Sequence, residues 1–153
     1  MKFSVRQMGQ SDARAWAALR TALSPKNSFQ GHEKAISELL RRDDAWGLIA
    51  ETTSGEAAGF CEIEIRPYAN GCLSRPVPFL EGIWVGQQFR RQGVGAQLIR
   101  HAEAVLLARG FQELGSDVLI ANQASLAAHA SWGFSETVRV VFFRMPIGPH
   151  SQE

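Results

Sequence analysis

The stretch from Val77 to Leu106 constrains the fold more than any other. A nearly continuous apolar run, VPFLEGIWV (Val77 to Val85), leads into FRRQGVGAQLI (Phe89 to Ile99). A run of that length, broken only by Glu81 and Gly82, suits a central strand buried on both faces and interrupted by a bulge. Beyond it Val94, Leu98, Ala102, Val105 and Leu106 recur at helical spacing, until Arg109 and Gly110 supply a cationic last turn and a terminal glycine. The junction between strand and helix carries chemistry of its own. Gly93 and Gly95 remove side chains at the mouth of the helix, so backbone N–H groups can approach an oxygen-rich group closely. The helix dipole adds about 0.3 to 1 kcal/mol for an anion, and Arg90 or Arg91 can add charge-assisted hydrogen bonds. A diphosphate would satisfy the whole set. No Gly-Lys-Ser/Thr follows, and the glycines do not form GxGxxG after a first strand, which argues against nucleotide hydrolysis and dinucleotide binding. The same residues also admit a plainer reading, a loop with two solvated arginines.

The remaining elements follow one another closely. Lys2 to Met8 alternates as a strand, and Ser11 or Asp12 can cap a helix carrying Trp16 and Leu19 that stops before Ser24-Pro25. His32 to Arg42 places Ile36, Leu39 and Leu40 on one helical face. Ala45 to Thr53 and Ala57 to Arg66 read as strands, and the short link Ser54-Gly55-Glu56 makes them an antiparallel hairpin. Leu114 to Ile120 reads as a strand, Asn122 to Trp132 as a helix ended by Gly133, and Glu136 to Met145 as a final strand rich in valine and phenylalanine. The order predicts one α/β (α+β) domain over residues 1–153, with a central mixed, mostly antiparallel sheet and helices on both faces.

Composition removes several function classes. A net charge of +1 over 153 residues gives no global field for nucleic acid or an anionic membrane, so neither partner is expected. No apolar run approaches the ~20 residues of a membrane span. The first residues are too weakly apolar for a signal peptide, so the expected compartment is the cytoplasm. The two cysteines, Cys61 and Cys72, lack CxxC spacing and are expected to be free thiols, and no metal site is expected.

Arg90-Arg91-Gln92-Gly93-Val94-Gly95 resembles the phosphate loop of the GNAT superfamily of acyl-CoA-dependent N-acyltransferases, Arg/Gln-x-x-Gly-x-Gly/Ala at the start of a long helix. LEGIWV stands where that family carries a bulged strand that splays from the next, and Asn122, the run to His129 and Gly133-Phe134 resemble its second cofactor element. The resemblance covers nearly the whole chain. It implies acetyl-CoA as cosubstrate, held by Ile83, Val85, Arg90, Arg91, Gln92, Gly93, Val94, Gly95, Ala96 and Asn122. PYANGC (Pro67 to Cys72), PVPFLEGIWV (Pro76 to Val85), SDV (Ser116 to Val118) and GFSETVRVVFFRMP (Gly133 to Pro146) are similar to the aminoglycoside 6′-N-acetyltransferases within that superfamily. That likeness implies a homodimer and a pocket for an aminoglycoside or other polyamine-like molecule, lined by Glu81, Asp117 and Glu136 and flanked by Tyr68. Drug resistance would follow. Departures at Ser24, Leu73 and Phe142 or Phe143 keep open another amine acceptor, small or protein-borne, or a non-catalytic acyl-CoA-binding module.

The chemistry such a site must perform can be stated from first principles. A thioester is already activated, so the enzyme must present a neutral amine, stabilise an oxyanion and let a thiolate leave. Backbone N–H groups freed at the bulge near Ile83 can polarise the carbonyl. Alkyl amines arrive protonated, with pKa values near ~10, and a carboxylate such as Glu81 or Asp117 can attract that cation and relay its proton. Each acid also has a plainer role: Glu81 on the bulge amides, Asp117 in solvent, Glu136 paired with Arg139 or Arg144. In the superfamily a tyrosine near the middle of the last helix is the general acid, and the position matching it here is His129; a surface histidine with no catalytic task is the alternative.

Overall fold

The computed structural model describes residues 2–149. Four strands form one antiparallel sheet in chain order: β1 (Phe3–Gln7), β2 (Ala45–Thr52), β3 (Ala57–Arg66) and β4 (Val77–Val85). Four helices accompany it: α1 (Ala13–Leu23), α2 (Phe29–Leu39), α3 (Val94–Ala108) and α4 (Gln123–Ser131). The period-2 alternation of the strands decides which face each residue serves. Leu48, Ala50, Cys61, Ile63 and Leu80 pack on one side with Leu98, Ala102 and Leu106 of α3. Ile49 and Phe60, one step out of phase, pack on the other with Trp16, Ala17 and Leu19 of α1 and Ile36 of α2. Helices therefore cover both faces. Helix α2 begins earlier than its apolar pattern predicts, because the Ser28 hydroxyl caps it by accepting from Gly31 N–H at 3.0 Å.

The bulge foreseen in VPFLEGIWV lies at Glu81. Across the β3–β4 ladder Glu62 stands opposite Gly82 and Ile63 opposite Leu80, which leaves Glu81 as the extra residue. Among the described residues the other edge of β4 is met at one place, where Leu80 N–H donates to Gly115 O at 2.8 Å and Gly115 N–H to Pro78 O at 2.9 Å, a parallel bridge. Past that bridge no further ladder joins the two segments among the described residues, which leaves the edge of β4 beyond Leu80 open.

Two predicted strands are corrected. Leu114 to Ile120 is reduced to that one bridge, and Glu136 to Met145 forms no strand among the described residues. Valine- and phenylalanine-rich sequence reports fitness for a pleated surface, not the presence of a backbone partner, and no such ladder forms here among the described residues. Leu119, Phe142 and Phe143 are accordingly 82%, 83% and 92% exposed.

Candidate functional site

The start of α3 is shaped by two glycines with different tasks. Gly93 caps the helix with φ 82°, a left-handed conformation that costs a residue with a Cβ about 1–2 kcal/mol, and a Cβ built there meets nothing within 4 Å. The space in front of the cap is open. Gly95 is instead a packing residue, for a Cβ there would stand 2.5 Å from the Trp132 ring, at the end of α4. The first turn of a helix has N–H groups without intrahelical acceptors, and no side chain caps them here. Gln97 N–H, bonded to Gly93 O at 3.0 Å, begins the helical pattern. The amides from Gly93 through Val94 and Gly95 to Ala96 thus face an open space at the positive end of a helix of 15 residues. Arg90 and Arg91 are exposed beside it, Arg91 at φ 63°. Arg90 Nε donates to Val85 O at 3.1 Å, and Gln92 Nε2 to Gln88 O at 2.9 Å.

These contacts join the loop to the open edge of β4. Gly86 N–H donates toward β3, to Ala58 O at 2.8 Å, while Val85 O turns the other way to accept Arg90. Strand alternation then puts the polar backbone of Ile83 and Val85 on the edge that leaves β3 behind. A ligand laid along that edge meets the α3 amides at one end and the Glu81 bulge at the other. The residues present fit a diphosphate followed by an extended amide-bearing arm.

The acidic residues sit in different circumstances. Arg66 grips Glu81 with two hydrogen bonds of 2.7 Å, and its guanidinium lies 3.6 Å from the centre of the Phe79 ring. Glu81 foremost, and Asp117 at longer range, raise the pKa of Arg66, which places both acids around one cation. Asp117 is exposed just past the Gly115 bridge. Glu136 pairs with Arg139 at 2.5 Å, which lowers the pKa of its carboxyl, and no hydrogen bond or ion pair among the described residues ties it to Arg66. Tyr68 is 61% exposed, 5.7 Å from the Arg75 guanidinium. Asn122 caps α4, its side chain accepting from Ser125 N–H at 3.1 Å. His129 is buried, with both ring nitrogens held by protein groups.

One acid escaped sequence reasoning. Glu62, on β3 opposite the bulge, is 8% exposed and accepts from Trp16 Nε1 at 2.7 Å, with Arg20 Nε at 3.5 Å. Burial pushes its pKa up, Arg20 and Trp16 pull it down, and Glu81 adds to the rise. The signal was present: a glutamate at an inward position of FCEIEIR must have a partner. It lines a cleft of about 400 Å³ together with Arg20, Glu38, Arg42, Glu64 and Glu81, where carboxylates outnumber cations. Cys61, by contrast, is inert: burial pushes its thiol up to about 12.

Known proteins share this architecture. The sequence model of the Acetyltransferase (GNAT) family matches residues 14–134. An aminoglycoside N(6′)-acetyltransferase type 1 of Klebsiella aerogenes is 42% identical over 94% of this chain and 96% of its own. Another from Serratia marcescens is 43% identical over 88% and 92%. The structure of AAC(6′)-Iy in complex with the bisubstrate analog CoA-S-monomethyl-acetylneamine superposes with a TM-score of 0.89 at 37% identity, covering 96% of this chain and 100% of that one.

Proposed function

Since the chain belongs to the GNAT acetyltransferase family, we propose that it transfers the acetyl group of acetyl-CoA to the 6′-amine of aminoglycosides by direct attack in a ternary complex, and so confers resistance to them. The observation that carries this reading is the continuity of the open β4 edge at Ile83 and Val85 with the uncapped amides at Gly93. Acetyl-CoA supplies the activated acyl group. The amides of Gly93, Val94, Gly95 and Ala96, with Arg90, Arg91 and Gln92 around them, bind its diphosphate. The Ile83 and Val85 backbone then holds the arm as an added strand would be held, and aims the thioester at the bulge. An N–H near Ile83 stabilises the oxyanion.

On the acceptor side Asp117 and Glu81 attract the ammonium groups of the antibiotic, with Glu136 and Tyr68 at the rim. Glu81 enters as an exchange, since a bound ammonium takes over from Arg66. The excess of carboxylates in the neighbouring cleft gives a polycation a favourable approach. We also assign a homodimer: the apolar side chains of Val138, Val141, Phe142, Phe143 and Ile147 are largely exposed in the single chain, and a second copy would cover them. Thiol release from acetyl-CoA, followed on adding kanamycin, tobramycin or spermidine, tests the activity. Turnover with the aminoglycosides supports the reading; turnover with spermidine alone, or with none, refutes it.

A further inference from the structure

The segment SDV left one residue without a task. Ser116 is the first residue beyond the Gly115 bridge to β4. Its Oγ lies 2.8 Å from His129 Nε2. On the other side of the ring, Nδ1 lies 2.8 Å from the main-chain oxygen of Ser125, with the Ser125 hydroxyl farther off at 3.4 Å. A carbonyl oxygen only accepts, so Nδ1 carries the hydrogen, and in the neutral ring Nε2 is the bare nitrogen that accepts from the Ser116 hydroxyl. The ring is 9% exposed and packed against Trp132 and Phe134, at 5.2 and 5.0 Å between centroids. Of the groups bonded to the ring, Ser116 is the one that adjoins the β4 bridge, and it is half-buried and next to the exposed Asp117.

From this geometry we infer that Ser116 is a catalytic residue and that Ser116 and His129 together form a proton shuttle for acyl transfer. The inference rests on the acetyltransferase reading above and deepens it. The amine nitrogen bonds to the thioester carbonyl carbon. Its N–H proton passes to Ser116 Oγ as the Ser116 hydroxyl proton passes to His129 Nε2. The C–S bond then breaks, and the imidazolium returns its proton to Oγ while the hydroxyl proton goes to the departing sulfur. Amine and thioester become amide and thiol, and the pair ends as it began. His129 is the positioning residue and proton store, acting through the hydroxyl.

Two measurements test this. In single-turnover acetyl transfer, Ser116→Ala should slow the step about 100-fold, the low end of general acid–base effects, while the KM values for acetyl-CoA and acceptor stay within about 3-fold. Ser116→Thr, which keeps a hydroxyl, should recover to within about 5-fold of wild type. The double variant Ser116→Ala/His129→Gln should lose no more than Ser116→Ala alone, as groups acting as one unit do. A Ser116→Ala rate within about 3-fold of wild type would overturn the shuttle, since loss of the hydroxyl must break the relay. Independently of any acceptor, the 15N shifts of the imidazole should report the Nδ1–H tautomer in the free enzyme, and an Nε2–H tautomer would also overturn it. If wild type acetylates only other amines, the aminoglycoside reading falls while the variant ratios, measured on those amines, still decide the shuttle; no turnover with any amine overturns both.

Discussion

The corner where β4 meets α3 and the acid-lined face beside it are made of different materials. The corner is backbone: a left-handed Gly93, uncapped amides and a strand edge, all fixed by a helix whose Val94, Leu98 and Ala102 are buried. The acidic face is side chains, three of them already paired: Glu81 with Arg66, Glu62 with Trp16 and Arg20, Glu136 with Arg139. A backbone site offers one geometry and suits the one group every acyl-CoA shares. A side-chain site can exchange partners and suits acceptors that differ in the number and spacing of their amines. Cofactor specificity should accordingly be brittle to single substitutions, and acceptor specificity graded.

Gly93→Asp is the harshest way to break that contrast. It combines left-handed strain with a negative charge in front of the amides: the charge should weaken acetyl-CoA binding by calorimetry about 100-fold or more, near 2.7 kcal/mol, and the strain should lower unfolding stability by about 1–2 kcal/mol. A smaller effect, on folding, belongs to the acidic side. Trp16→Phe leaves the Glu62 carboxylate without its 2.7 Å donor and should cost about 1–3 kcal/mol in denaturant unfolding. Glu62 also fixes a sign. Its native pKa is raised above the ordinary 4.5, so over that window the folded state holds more protons than the unfolded one, and its contribution to stability falls as pH rises through it. Glu62→Gln, which can still accept from Trp16, should flatten that slope in unfolding measured from pH 4 upward. Asp117→Asn should raise the aminoglycoside KM about 10-fold, about 1.4 kcal/mol, and leave the acetyl-CoA KM alone. Glu136→Gln, removing one member of an exposed pair, should change the acceptor KM by less than about 3-fold. A reversed order of the last two would mean that the rim, not Asp117 beside the bridge, selects the acceptor.

What could be read from the sequence divides along the same line. β3 and β4 lie where alternation and the apolar run put them, and α3 begins at the glycine junction, because local patterning and backbone conformation decide those features. The bulge is legible as an acid and a glycine inside an apolar run, of which Val77 to Leu80 are buried and the rest is not. Arg66 on Glu81, and Glu62 beneath α1, were not, since side chains 15 and 46 residues apart meet only after the sheet has formed. Nor was the absence of ladders after Gly115 among the described residues: valine and phenylalanine describe a surface that wants a partner without saying that the same chain supplies one. For His129 the resemblance offers a general acid and the residue alone a surface histidine, and only the folded geometry buries the ring and sets Ser116 Oγ against its Nε2.

The claim on which the rest depends is that the uncapped amides opening α3 hold the diphosphate of acetyl-CoA. Backbone 15N–1H spectra recorded during titration test it directly, with S-acetylpantetheine, which lacks the diphosphate, as the control. The Gly93 and Gly95 amide resonances should move downfield at saturation with acetyl-CoA and stay in place with the control. If acetyl-CoA saturates the protein while those two resonances remain unmoved, the diphosphate is held elsewhere and the account is wrong.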